Sequence, residues 1–221
     1  MDVQNESRCK LNSGCISIVI DDLPNNIFEH ILVRLPIKEA VRTSVLSKSW
    51  RNKWAGLLEL VFDDESISFP LPSNEEEPLD HSGELVSIID QVLLHQGPIV
   101  KFVLSNSHLK STSSICRWIS YLTRNGIKDL TLHFHIEPCK VPMSLFYYQQ
   151  LSSLKLDHCV ANLPPSFNGL RSLKVLELEY TTIINEDFES LIYGCPHLER
   201  LVLRGIINVH HPRNIMPNLK D

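Results

Sequence analysis

Residues 151–156 read LSSLKL, residues 173–178 read LKVLEL and residues 198–203 read LERLVL. All three segments carry leucine at their first, fourth and sixth positions, and the pattern recurs after 22 and then 25 residues. The last two leucines of each segment lie two residues apart, so they share one face of a β-strand while the residue between them faces the other way. The repeats therefore predict a row of short strands, each of which buries a leucine face.

Apolar stripes with helical spacing lie between these strand segments. Ile115, Trp118, Ile119 and Leu122 precede Gly126, and Phe188, Leu191 and Ile192 precede Gly194. Looser copies of the strand pattern begin at Ile127 and Ile99. A unit of 20 to 29 residues that joins a strand to a helical return is typical of leucine-rich repeats. We expect an α/β solenoid of about five such repeats over residues 81–221.

The strand residues that face away from the leucines are predicted to form a concave surface, which is the usual binding surface of a solenoid. The candidate substrate-contacting residues on it are Thr131, His133, His135, Lys155, Asp157, Glu177, Glu179 and Arg204. Because its middle is acidic, this surface favours a partner with some basic character.

Residues 21–62 have a different pattern, which predicts three helices separated by prolines. Pro24 suits the first turn of one helix, Pro36 ends it, and Ser47 is placed to cap a third helix that carries Trp50, Trp54 and Leu58. A segment of this length is close to the lower limit for a self-sufficient core. We therefore expect this module to dock on a partner protein.

The remaining segments are a polar tail at residues 1–20 and an acidic, proline-containing linker at residues 63–80, which we expect to be extended and solvated. The net charge of −5 provides no basic field for nucleic acid, and the sequence contains no apolar run long enough to span a bilayer. The absence of a secretory signal pattern predicts a cytoplasmic or nuclear location. We expect the repeat array to be incomplete at the C-terminus, where residues 216–221 resemble the entry to another strand.

The N-terminal module also carries a specific motif. It combines Asp22-Leu23-Pro24 and Leu35-Pro36 with the run AVRTSVLSKSWRN at residues 40–52. Together with the repeats, this motif resembles plant F-box/leucine-rich-repeat proteins of the F-box/FBD/LRR type. We expect this chain to be truncated relative to that type and to lack the FBD domain. Ser49 departs from the resemblance, since the plant pattern usually has a basic residue at that position.

The resemblance implies a substrate-recognition subunit of an SCF-type ubiquitin ligase. The F-box would dock on a SKP-family adaptor and, through it, on a cullin, while the repeats would hold an unknown protein substrate. Such a subunit catalyses no reaction itself but raises the local concentration of substrate lysines near the ubiquitin-loaded enzyme. We expect adaptor contacts from Leu23, Pro24, Ile27, Ile31, Leu35 and Pro36, with internal packing as the alternative for each apolar residue, and we expect Trp50 to pack the helices together.

Two other functions stay open at this point. One is a truncated scaffold or inhibitory F-box product that occupies the adaptor without delivering a substrate, and the other is a receptor that binds a small ligand in the repeats. The common nucleotide-binding and hydrolase motifs are missing, so no enzyme activity and no cofactor are expected. His133 and His135 do not fit the known spacings of zinc sites, so no metal site is expected either.

Overall fold

The computed structural model describes residues 23–67, 69, 80–110 and 113–208. The predicted N-terminal tail, most of the predicted acidic linker and the C-terminal residues 209–221 lie outside the described residues. Within the described part, no helix combines the length and apolar character needed to cross a membrane.

A parallel sheet of six strands organises the molecule. Its strands, in spatial order, are β1 (Glu59–Asp63), β2 (Lys101–Ser105), β3 (Asp129–His133), β5 (Ser153–Asp157), β7 (Val175–Glu179) and β8 (Arg200–Arg204). The leucines of successive repeats are paired in register, so that Leu154 lies beside Leu130 and Leu176. These leucines are fully buried while the residues between them are half-buried. The strands predicted from the leucine pattern are thus present. The predicted alternation of burial holds in β2, β3, β5 and β7, whereas in β8 Leu201 and Leu203 are only half-buried.

Helices cover the leucine face of the sheet. They are α3 (Ser82–His95), α4 (Ser114–Arg124) and α5 (Asn185–Tyr193), and each buries an apolar stripe. Between β3 and β5 the return path contains a 3₁₀-helix, Met143–Tyr147. Two short strands, β4 (Cys139–Lys140) and β6 (Cys159–Val160), form a second parallel pair just beyond the main sheet.

The first strand comes from a segment that the sequence analysis assigned to the N-terminal module. Residues 59–63 pair with β2, so the predicted module boundary at residue 62 falls inside a strand. Leu57, Leu60 and Phe62 are buried and follow the same one-four-six spacing as the leucine pattern. The next copy of the pattern begins at Ile99, which is 42 residues after Leu57. Because this spacing is longer than the others, a search for a regular period does not recognise residues 57–62 as a copy of the pattern.

The N-terminal module contains two α-helices, α1 (Asn25–Leu32) and α2 (Ile37–Arg42), each preceded by a proline. The carbonyl oxygen of Pro24 accepts hydrogen bonds from the amides of Ile27 and Phe28, and Pro36 does the same for Glu39 and Ala40. The prolines supply the fixed φ with which a helix starts.

The predicted third α-helix is wrong. The chain forms turns after the 3₁₀-helix Thr43–Val45, and only a second 3₁₀-helix, Lys53–Gly56, follows. The Ser47 hydroxyl accepts a hydrogen bond from the Ser49 amide and the Ser44 hydroxyl donates to the carbonyl of Arg51. These side-chain bonds fix turns in place of a continuous helix.

The described beginning of the predicted linker is folded rather than extended. Asp63 and Ser66 form a hydrogen-bonded turn, and Ile67 is fully buried. The carboxylate of Asp64 accepts hydrogen bonds from the amide and the hydroxyl of Ser107. The linker therefore begins as a turn that is attached to the end of β2.

Candidate functional site

The helix α1 divides its apolar residues between a buried and an exposed face. Phe28 and Leu32 are 3% and 1% exposed, whereas Ile27 and Ile31 are 39% and 37% exposed. Because each pair is spaced by four residues, each lies along one face of the helix. The exposed pair forms an apolar strip that the described part of the chain leaves accessible; we call it the α1 face.

The buried core of the module does not include the α1 face. Trp50 is buried and its ring meets that of Phe28 edge to face, with the centroids 4.7 Å apart. Trp54 and Ala40 are buried nearby in the same core cluster. Trp50 therefore packs the helices together, as the sequence analysis expected.

The six expected adaptor-contacting residues fall into two groups. Ile27, Ile31, Pro24 and Pro36 are exposed, while Leu23 and Leu35 are half-buried against the core. The structure also exposes four apolar residues of the module that the sequence analysis did not select as adaptor contacts, namely Val33, Val45, Leu46 and Leu58, at 68%, 86%, 52% and 51%. Val45 and Leu46 belong to the motif at residues 40–52. The sequence analysis did not select them because the apolar residues there have no regular helical spacing.

The polar face of the sheet carries the expected substrate-contacting residues of β3, β5, β7 and β8. Adjacent strands place Thr131, Lys155 and Glu177 in one row and His133, Asp157, Glu179 and Arg204 in the next. His135 follows β3 and is exposed. The structure therefore brings all eight residues to this region of the sheet.

The acidic residues of the polar face are paired with neighbouring bases. The Nζ atom of Lys155 lies 2.9 Å from Glu177, and Arg204 lies 2.9 Å from Glu179. Glu177 also lies 3.4 Å from Arg200. The acidity that the sequence shows is therefore balanced within the sheet and does not form an open acidic patch.

Imidazole rings collect at the carboxyl end of β3 and β5. The Nε2 atom of His133 lies 3.2 Å from one oxygen of Asp157, and the Nδ1 atom of His158 lies 2.8 Å from the other. The rings of His133 and His135 are in contact, with centroids 4.0 Å apart. One carboxylate thus bridges two imidazoles on the polar face. We call His133, Asp157 and His158 the imidazole cluster.

Burial lowers the pKa of His133 below its usual value, although the Asp157 carboxylate acts in the opposite direction. The neighbouring imidazoles of His135 and His158 lower the pKa further because they disfavour a second positive charge. His133 is therefore held as a neutral ring at neutral pH.

A left-handed residue follows each of the last three strands of the described sheet. His158, Tyr180 and Gly205 occupy equivalent positions, and their φ angles are 50°, 43° and 55°. This backbone turn breaks the strand alternation, so the side chains of Asp157 and His158 meet even though they are consecutive. Residues other than glycine adopt this left-handed conformation at a cost of about 1 to 3 kcal/mol.

The sequence analysis missed Tyr180, whose ring lies 5.0 Å from that of His158 and covers Gly205. A signal was present, since the glycine at the third of these equivalent positions marks a site that requires positive φ. The sequence analysis also excluded a metal site on spacing alone. In the described residues, however, donor atoms of His133, Asp157 and His158 all lie within 4.8 Å of one another.

Comparisons with known proteins match both parts of the chain. A model of the F-box domain matches residues 20–60, and a model described as the LRR repeats of the FBD-associated F-box protein At5g56370 matches residues 115–221. F-box/LRR proteins are generally substrate adaptors of SCF ubiquitin ligases and are typically non-catalytic.

Three similar relatives come from Arabidopsis thaliana. The F-box/FBD/LRR-repeat protein At1g13570 is 46% identical over 83% of this chain and 43% of its own length. The F-box/LRR-repeat proteins At4g14103 and At4g14096 are 36% and 37% identical over 85% and 88% of this chain. The chain spans 50% and 41% of those two relatives, and thus about half or less of all three. With the two family models matched in chain order, these relatives show that the chain belongs to the plant F-box/leucine-rich-repeat proteins.

Proposed function

We propose that this chain is the substrate-recognition subunit of an SCF-type ubiquitin ligase, acting in the cytoplasm or nucleus. The observation that carries the proposal is the α1 face, where Ile27 and Ile31 are exposed while Phe28 and Leu32 of the same helix are buried in the core. F-box domains generally bind a SKP-family adaptor in SCF complexes. The α1 face supplies an apolar surface for that contact.

The docking surface is apolar and lies beside prolines that fix the start of each helix. Ile27 and Ile31 are one helical turn apart, and the exposed Pro24 and Pro36 precede α1 and α2. A helix that presents residues four apart fits a groove or helix surface on a partner. Val33 and Leu46 add exposed apolar area to the module.

The polar face of the sheet is the proposed substrate surface. Its charged residues are held in pairs across the strands, as Lys155 is with Glu177 and Arg204 with Glu179. A fixed pattern of alternating charges selects a partner by electrostatic complementarity more than by net charge. The cullin would bring the ubiquitin-loaded enzyme to this substrate, and the reaction would be accelerated by proximity.

The test is co-purification of the full chain with a purified SKP-family adaptor, followed by measurement of the dissociation constant. The variant Ile27→Ser, Ile31→Ser removes the α1 face, and Leu94→Ser is the matched control because Leu94 is a 79% exposed leucine on α3. We expect the double variant to lose about 2 kcal/mol of binding free energy, which is roughly thirtyfold in affinity, while the control binds as the wild type does.

Equal affinity of the double variant and the wild type would overturn the assignment of the α1 face. Failure of the folded wild-type chain to bind any SKP-family adaptor would overturn the ligase function itself. Adaptor binding without ubiquitin transfer to any bound protein would instead identify a non-delivering F-box product.

A further inference from the structure

The imidazole cluster joins two strands at a single point on the polar face. His133 of β3 lies directly opposite Asp157 of β5 in the register of the sheet. The left-handed backbone conformation of His158 places its imidazole beside the same carboxylate of Asp157. Three donor groups from two adjacent repeats therefore converge, although they are separated in the sequence.

We propose that His133, Asp157 and His158 form a binding site for a divalent transition-metal ion, with Zn²⁺ as the best match. Two imidazole nitrogens and one carboxylate oxygen are a ligand set that Zn²⁺ accepts in three-ligand sites, where the fourth position is left to water or to another ligand. The three donor atoms lie within 4.8 Å of one another. Tetrahedral Zn²⁺ with bonds of about 2.0–2.1 Å needs donors about 3.3 Å apart, so modest side-chain rotations bring them into place.

Each imidazole already lies close to that distance from an oxygen of Asp157, although the two contacts involve different oxygens. One oxygen lies 3.2 Å from the Nε2 atom of His133, and the other lies 2.8 Å from the Nδ1 atom of His158. The three side chains are only partly buried, so they are free to adjust and an ion can reach them from solvent.

Ser105 orients one of the proposed ligands from the neighbouring strand. Its hydroxyl oxygen lies 3.1 Å from the Nδ1 atom of His133 and forms a hydrogen bond with it. This contact leaves Nε2 directed at Asp157, which is the nitrogen that the proposed site uses. Metal-binding histidines usually have their second ring nitrogen held in this way by an outer partner.

The conformation of His158 supports a role for its side chain. The third equivalent position holds Gly205, which adopts a similar φ without strain. A histidine at this position costs backbone energy, and in return it places its imidazole beside Asp157. The proposed metal site rests on the geometry of the cluster alone. It is therefore independent of the proposed binding to a SKP-family adaptor.

The test is calorimetric titration of the full chain with zinc chloride. His158→Gly removes a ligand and keeps the left-handed backbone. Asn208→Gly is its matched control because Asn208 also has a positive φ and is an exposed residue outside the cluster. His133→Gln is a second ligand variant, and His197→Ala controls for an exposed histidine outside the cluster. Circular dichroism establishes that each variant is folded.

We expect one Zn²⁺ ion bound by the wild type and by both controls, with affinity reduced at least about 100-fold in both ligand variants. Cobalt(II) substituted for zinc should show the spectrum of nitrogen and oxygen ligands without thiolate charge transfer. If His158→Gly does not fold, the His133→Gln titration alone decides. Absent binding, unchanged affinity in a folded ligand variant, or thiolate ligation of cobalt would each overturn the proposal.

Discussion

The backbones of Gly169 and Gly194 are in contact between neighbouring repeats. The Leu170 amide donates a hydrogen bond of 2.9 Å to the carbonyl oxygen of Gly194, and a Cβ atom on Gly194 would lie 2.8 Å from the Cα atom of Gly169. Gly194 has a φ of −78°, so its role is to permit this approach and not to supply a left-handed turn. The end of α5 is thereby brought against the preceding repeat.

We expect Gly194→Ala to destabilise the repeat region by about 1 to 3 kcal/mol, because the new methyl group meets backbone atoms that cannot rotate away. Chemical denaturation monitored by circular dichroism measures the effect. Gly83→Ala is the control, since Gly83 lies in α3 with no atom within 4 Å of an added Cβ. It should stabilise the protein by up to about 1 kcal/mol. Equal stability of the two variants would contradict the close approach.

Asp90 connects α3 to α4, and this connection predicts a pH dependence of stability. It accepts a hydrogen bond of 2.7 Å from the indole of Trp118 and two from Arg117. Burial tends to raise the pKa of Asp90, but the hydrogen bonds from Arg117 and Trp118 outweigh it and hold the pKa below 3.8. The Asp90 carboxylate therefore binds a proton less readily in the folded state than in the unfolded state.

The stabilisation from Asp90 is accordingly complete above its unfolded pKa, which is about 3.9, and is lost as the pH falls through the lower folded value. We expect Asp90→Asn to reduce the free energy of unfolding near neutral pH and to approach the wild type in stability as the medium is acidified below pH 4. Denaturation curves over that range measure it. Glu39→Gln removes an exposed ion pair with Arg42 and should change little. A constant difference between Asp90→Asn and the wild type would refute the assignment.

The sequence predicted the repeat sheet well because a leucine face imposes a period of two within each strand and a regular spacing between strands. It missed β1, although Leu57, Leu60 and Phe62 follow the same pattern, because an insertion separates that strand from the next. The sequence also placed the candidate substrate-contacting residues on one face of the sheet, because the alternation of side chains along a strand is enough to assign the face of each residue. It missed the imidazole cluster because the contact between consecutive residues needs the left-handed backbone at His158.

The cysteines of the described region should differ in reactivity. Cys116 is exposed on α4, whereas Cys139, Cys159 and Cys195 are buried. Burial raises the pKa of Cys195 to about 11 and also raises that of Cys159, so their thiols stay protonated at neutral pH. Alkylation with iodoacetamide followed by peptide mass spectrometry should modify Cys116 in the native protein and the other three only after unfolding. Early modification of Cys159 would show that its repeat opens readily.

Ile31 and Leu32 are adjacent in the sequence and about 100° apart around α1, but only Leu32 is buried in the core. Ile31 is 37% exposed, and Leu32 is 1% exposed and belongs to the core. Leu32→Ala should reduce the free energy of unfolding by about 2 to 5 kcal/mol, because it removes buried atoms and leaves a cavity. Ile31→Ala should leave thermal stability nearly unchanged.

The same two variants should differ in the opposite sense in binding. Ile31→Ala is expected to raise the dissociation constant for a SKP-family adaptor up to roughly thirtyfold, which is a loss of about 2 kcal/mol of binding free energy. The reason is that the truncated side chain belongs to the α1 face. Leu32→Ala, measured at a temperature where it is folded, should bind with nearly the wild-type constant. Thermal melting and calorimetric binding on the same samples separate the two effects. If Leu32→Ala weakens binding more than Ile31→Ala does while both are folded, the buried and docking faces of α1 have been assigned the wrong way round.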